Sequence, residues 1–211
     1  MALLASDIAF RARSTLLDPS GNYWTDAEIL SYIIGATNQI IAIKPDAVTN
    51  NVALTLSPGV VQLLPTNATT LSRVIANGAG TPVVIESMAE FARTNPNWVG
   101  ASPGPTQRVF YDPRTPQPFW VFPQASSGMT LVALIGIFPT APTSLSGTVN
   151  LPNWYDAALW AFVVGMAYAK NSKRQDMVKS KFFMDLFFQF MGVVVPGAEV
   201  AAAKIDDKGV A

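Results

Sequence analysis

The sequence predicts an α+β fold: a discontinuous four-helix bundle carrying an inserted small antiparallel β-sandwich or barrel. Three observations lead there. Apolar residues recur at helical spacing towards both ends of the chain. Between those ends, short apolar runs are punctuated by proline and glycine, the pattern of strands joined by turns. A chain that leaves a helical layer, builds strands and comes back as helices can close one bundle through short connections. The expected division is a helical unit of residues 1–48 plus 152–192, a β-rich insertion of 49–151, and a C-terminal extended arm of 193–211.

The first helix is expected over residues 4–17, where the turn formers Asp18-Pro19-Ser20-Gly21 stop it. The second is the best marked. Thr25 and Glu28 have capping-box spacing, in which the threonine hydroxyl accepts from the Glu28 amide and the carboxylate reaches back to the Thr25 amide. Trp24 is placed to pack on Ile29 as a hydrophobic staple. Ile29, Ile33, Ala36, Ile40 and Ile43 follow at steps of four and three residues, giving one apolar face that Leu30, Ile34 and Ile41 widen. Pro45 ends the run because its ring cannot sit in a helix interior.

In the middle of the chain, residues 52–56 and 60–64 flank Ser57-Pro58-Gly59 and read as a hairpin. Proline presets the first central angle of a type II turn there, and glycine supplies the positive φ of the second. Residues 71–76 and 82–86 flank a second turn, Asn77-Gly78-Ala79-Gly80. Residues 107–111, 119–122 and 130–138 supply three more strands, with one or two helical turns over 87–93.

The third helix is expected to begin at Asn153 as its cap, with Tyr155, Leu159, Phe162 and Met166 as its stripe. Its apolar run, 157–169, falls short of the roughly 20 residues a membrane span requires, so it reads as core. Ser172 and Gln175 repeat the capping-box spacing ahead of a fourth helix over 173–191. Val178, Phe182, Leu186 and Phe190 form one face of that helix and Phe183, Phe187 and Met191 crowd a second, so burial on more than one side is expected.

Composition narrows function. Half of the 211 residues are apolar but only 13 % are charged, against about 25 % in an average soluble domain. A surface so poor in charge is expected to be covered by partners. Fourteen basic residues balance fourteen acidic ones, which removes any bulk pull towards nucleic acid or anionic membranes. Cysteine and histidine are both absent. Thiolate chemistry, disulfides, the usual general base near neutral pH and the commonest metal ligands go with them. Carboxylate catalysis and oxygen-ligated Mg²⁺ or Ca²⁺ are the chemistries left. The N-terminus has no basic leader and carries Asp7, Arg11 and Arg13 early, so no signal peptide is expected.

No phosphate-loop or dinucleotide glycine motif occurs. Asn77-Gly78-Ala79-Gly80 reads as a turn rather than an anion cradle. Glu86 and Glu90, four apart, read as a solvated helix face rather than a catalytic pair, and Asp26 and Glu28 suit the positive end of a helix dipole. Lys170, Lys173, Arg174, Lys179 and Lys181 form the one basic cluster. It reads as a solvated helix face interrupted by Asp176 and Asp185, or as a contact patch for DNA phosphates or an acidic partner. Phe119, Trp120 and Phe122 resemble a base-stacking platform, but burial on both sides of a strand explains them without a ligand. No catalytic residue, cofactor or metal is expected.

An ordered set of segments carries a family resemblance. It runs Leu17-Asp18, then Tyr23-Trp24-Thr25-Asp26-Ala27-Glu28-Ile29-Leu30-Ser31-Tyr32-Ile33, then Lys44-Pro45-Asp46-Ala47. Leu54 to Leu56, Pro58-Gly59, Gln62 and Leu64-Pro65 follow, and later Asn97-Trp98, Phe110-Tyr111-Asp112-Pro113, Phe119-Trp120-Val121-Phe122-Pro123, Phe138-Pro139, Leu151-Pro152 and the helix from Tyr155 to Tyr168. In this order the chain resembles the head-to-tail adaptor (connector) proteins of tailed bacteriophages, over residues 3–191. The resemblance implies a structural protein of the virion neck, made in the host cytoplasm. It implies a homo-oligomeric ring, a dodecamer, docked under the portal protein. Genomic DNA would pass through the lumen, tail nozzle or other tail proteins would attach below, and no membrane or catalytic residue would be involved. In similar connectors the C-terminal segment contacts the portal, which by position assigns Val193, Val194, Val195, Val200 and Ile205 as candidate portal contacts. Two other readings stand beside it: another neck, minor capsid or tail-completion protein, and a carboxylate-based tail-associated glycan hydrolase with two acidic side chains converging in a cleft.

Overall fold

A computed structural model describes residues 3–193 of the chain. The architecture is α+β, with five α-helices and several antiparallel strand pairings among those residues. The chain divides into two compact units. One holds the chain up to Ile43 and again from Pro139, and the other is Lys44–Phe138. The cuts therefore fall earlier than the expected 48/49 and 151/152. Hydrogen bonding is the reason: the Val48 carbonyl accepts from the Ile137 amide and the Pro45 carbonyl from the Thr69 hydroxyl, so 44–48 join the strands. On the return, β9 (Thr148–Val149) pairs with β1 (Leu3–Leu4), which ties 139–151 to the helices.

In the helical unit, α1 (Ala5–Leu16) and α2 (Asp26–Ile43) pack with α4 (Asp156–Ala169), and α5 (Met177–Phe190) packs on α4. The capping box of α2 forms as its spacing predicts: Glu28 N–H donates to Thr25 Oγ1 at 3.3 Å, and Thr25 N–H to Glu28 Oε2 at 3.0 Å. Ile29, Ile33, Ala36 and Ile40 are fully buried, while Ile43 at the helix end is half-buried.

Helix α4 differs from its expected single stripe. A 3₁₀ turn, Asn153–Tyr155, precedes it, so the α-helix itself begins at Asp156 rather than at an Asn153 cap. Ala158, Leu159, Ala161, Val163, Val164, Gly165 and Ala167 are all buried, which leaves no solvent face of any width. Gly165 permits the close approach of α5, since a Cβ there would sit 3.0 Å from Met184 Cγ and Sδ.

Helix α5 departs most from expectation. It starts at Met177, capped by Asp176, whose carboxylate accepts from Lys179 N–H at 3.0 Å. Ser172 instead closes a local turn onto Arg174 N–H. The buried face is Ser180, Phe187 and, just past the helix, Met191, with Phe183 edge-on to Trp160 and Phe187 edge-on to Phe162. The face of Val178, Phe182 and Phe190 points to solvent.

The β unit holds a three-stranded sheet ordered β2-β8-β4 and a four-stranded sheet ordered β3-β7-β6-β5, where β2 is Thr49–Thr55, β3 Gly59–Leu63, β4 Ala68–Asn77, β5 Val84–Ile85, β6 Arg108–Tyr111, β7 Pro118–Ala125 and β8 Thr130–Ile137. The expected hairpin of 52–56 with 60–64 does not form. The turn is there, with Gly59 at φ 110°, but β2 pairs with β8 and β3 with β7. Gln62 braces the turn instead: its buried side chain accepts from Ser57 N–H at 2.7 Å and donates to the carbonyls of Ser57 and Gly59, satisfying the turn's own polar groups. One core joins side chains from both sheets: Leu54, Leu71, Leu131 and Ile135 from the first, with Val109, Phe119 and Val121 from the second. Short α3 (Met88–Thr94) lays Phe91 against Phe110 and Phe122 on the sheet's other side.

Candidate functional site

The residues that carried the family resemblance near the N-terminus build a corner between helices. Leu17 closes α1 in the left-handed region, at φ 55°, and Asp18 behind it is buried. The Asp18 carboxylate accepts from the amides of Asn22, Tyr23 and Trp24 at 2.9–3.0 Å, which folds the loop into α2. Burial alone would raise its pKa. The amides of Trp24, Tyr23 and Asn22 and the nearby Arg174 charge outweigh that and hold the carboxyl below its ordinary value. Trp24 is buried, and its Nε1–H donates to the Ala167 carbonyl on α4 at 3.1 Å.

This corner also accounts for most of the basic cluster. Lys170 pairs with Glu28 and donates to the Tyr23 carbonyl. Its hydrogen bond, joined by that of Thr25 N–H, holds the Glu28 carboxyl below its ordinary value. Arg174 lies 3.6 Å from the centroid of the Tyr23 ring and donates to the carbonyls of Leu16 and Leu17. Lys179 pairs with Asp176 and Lys181 with Asp185 along α5. Lys173 is exposed and makes no ion pair among the described residues. The five cations therefore do not form one open patch. Two clamp the corner, two pair with the cap or a side chain of α5, and among the described residues only Lys173 of the five stands unpaired. Asp26, read from sequence as dipole compensation alone, pairs with Arg13.

Two apolar surfaces stand out on the same unit. A groove of about 490 Å³ runs beside α1, lined by Ala9, Phe10, Leu17, Pro19 and Leu145, with the Arg13–Asp26 pair at its edge. Phe10 is 76 % exposed and Leu17 79 %. The second surface is the outer face of α5, where Val178 is 81 % exposed and Phe182 60 %, with Met177 and Phe190 beside them. The sequence signalled apolar character at these positions but not its exposure.

In the β unit, a cleft of about 610 Å³ is lined by Glu86, Ser87, Tyr111, Asp112, Thr115 and Trp120. Glu86 is not on a helix face with Glu90 as expected. It precedes α3, and its carboxylate lies 3.1 Å from Arg108 Nε. Asp112, which the sequence marked only within the resemblance segment Phe110-Tyr111-Asp112-Pro113 and not as a site residue, is the acidic residue that shares the cleft with it. Phe119 is fully buried, whereas Trp120 and Phe122 are half-buried on the opposite face. Among the described residues no cluster of three or more acidic side chains gathers as a metal site would, and no helix is long and apolar enough to cross a membrane. Of the candidate portal contacts, Val193 is the last described residue, and Val194, Val195, Val200 and Ile205 lie outside the described residues, as does most of the expected arm of 193–211. No protein-family model matches the chain, and no curated protein matches it in sequence.

Proposed function

We propose that this chain is a structural subunit of a tailed-phage neck: a head-to-tail adaptor that forms a ring under the portal, extends the DNA channel and carries tail or nozzle components. In this reading the helices form a four-helix bundle, α1, α2, α4 and α5, carrying the β unit as an inserted sandwich. The protein resides in the virion, acts through contacts and has no enzymatic role. The observation that carries the reading is the outward display of Phe10, Leu17, Val178 and Phe182 on a chain with so few charges. Exposed apolar area of this kind is the property of a subunit whose surface is completed by neighbours. The ordered segments from Leu17 to Tyr168 supply the choice of assembly. Co-sedimentation with portal rings from the same virion, followed by electron cryomicroscopy, tests it. A symmetric collar on one end of the portal is expected. Failure to bind portal at micromolar concentrations sinks the adaptor role.

A second reading rests on the β-unit cleft, which is lined by Glu86, Asp112, the hydroxyls of Ser87, Tyr111 and Thr115, and the Trp120 ring, groups of the kind that bind and cleave sugars. Turnover of bacterial surface glycans, abolished by Glu86→Gln or Asp112→Asn, would establish that reading in place of the first.

A further inference from the structure

We infer that Asn77 is a site of spontaneous deamidation that the closed fold withholds: opening of the β unit releases the reaction, and its product bars the unit from closing again. This holds whatever assembly the chain enters.

Asn77 is the one asparagine of the chain that glycine follows. A glycine there presents its backbone nitrogen with no side chain to hinder the approach. In an open chain the Gly78 nitrogen attacks Asn77 Cγ, the Cγ–Nδ2 bond breaks, and ammonia leaves carrying the Gly78 proton. Water then opens the succinimide ring so formed. The product is aspartate or, where the main chain is rerouted through the side chain, isoaspartate, and nothing is oxidised or reduced.

In the closed β unit every group this reaction needs is engaged. Asn77 is buried. Gly78 N–H donates to the Thr130 carbonyl at 2.8 Å, which keeps the nucleophile protonated and aimed away from Cγ. Asn77 Nδ2 donates to the Thr106 carbonyl at 3.0 Å, and Oδ1 accepts from the amides of Ala79 and Thr81, each at 3.0 Å. The carboxamide is thus held at both ends. These bonds also tie the end of β4, in the three-stranded sheet, to the segment entering β6, in the four-stranded one. Loss of the amide therefore disables closure. A carboxylate has no proton to give the Thr106 carbonyl and would set a charged oxygen against it at a buried position. Isoaspartate lengthens the main chain by a methylene where Asn77 pairs with Leu131 and Gly78 bonds Thr130, which breaks the register of β4 on β8.

The full chain is incubated in mildly alkaline buffer with and without urea. The peptide holding Asn77 is followed by mass spectrometry, and isoaspartate by enzymatic methylation. Without urea, conversion is expected to be at least about a hundredfold slower, because it waits on rare opening of the β unit. Leu131→Ala, which removes a fully buried side chain of that unit, is expected to speed conversion in plain buffer by roughly tenfold or more. On dilution from urea, unconverted chains should regain protease resistance across 44–138, whereas chains converted at Asn77 should stay sensitive there. Asn77→Asp, made directly, should be as sensitive as the converted chains. Equal conversion rates with and without urea overturn the inference, as does an unchanged rate in Leu131→Ala. Converted chains that regain resistance as fully as unconverted ones overturn it too.

Discussion

Helices α2 and α5 are both read from sequence by an apolar stripe at helical spacing, yet the two stripes meet opposite fates. That of α2, through Ile29, Ile33 and Ile40, is sealed inside the helical unit, where it packs with α4. That of α5, through Val178, Phe182 and Phe190, faces water, while Phe187 and Met191 on the adjoining face take the core contacts. Periodicity reports that a face is apolar. Which apolar face is covered depends on what lies opposite, and α5 carries two apolar faces but packs chiefly on α4. The surplus face is what makes the molecule a candidate subunit.

Substitutions can break or sharpen this contrast. The largest effect is expected from Ile33→Asp, which buries an unpaired charge at a fully buried site, costs about 4 kcal/mol or more and leaves the helical unit unfolded by circular dichroism. A soluble, cooperatively melting Ile33→Asp protein would mean that the α2 stripe is not core. Next comes Phe187→Ala on the inner face of α5, expected to cost about 3–5 kcal/mol in urea denaturation. A cost near zero would remove the distinction between the two faces of that helix.

Asp18→Asn is expected to destabilise by about 1–3 kcal/mol at neutral pH, because an amide offers one acceptor oxygen to the amides that the carboxylate serves with two. The sign with pH follows from the lowered pKa of Asp18. Its contribution is fully present above the ordinary carboxylate value of about 4 and is lost as pH falls through the lower folded value. Melting curves of the two proteins should therefore converge in acid, and a constant gap down to that range would show that Asp18 is not charged in the fold. Thr25→Ala, which removes one arm of the α2 cap, should cost about 0.5–2 kcal/mol. Smallest of all, Phe182→Ala should stay within about 0.5 kcal/mol of the parent in isolated monomer, since its side chain is largely in water already. A loss comparable to that of Phe187→Ala would show the outer stripe to be core after all.

The sequence by itself determined the class of fold, the strand-rich middle between helical ends, and the local devices. Thr25 with Glu28 forms its cap, Gly59 its positive φ and Pro45 its stop, because each depends on atoms within a few residues along the chain. Legibility failed wherever a partner distant in sequence decided the outcome. Ser57-Pro58-Gly59 changes the chain's direction with Gly59 at positive φ, but β2 pairs with β8 and β3 with β7, strands that lie 50 or more residues along the chain and that no local signal names. The basic cluster looked like a surface until Glu28, Tyr23, Leu16 and Leu17, all more than 100 residues away, claimed Lys170 and Arg174. The two apolar surfaces on α1 and α5 were invisible for the same reason. Apolar character is a property of a side chain, whereas exposure is set by the neighbours that do or do not arrive, and only the packing of α1, α2, α4 and α5 fixes which of them do.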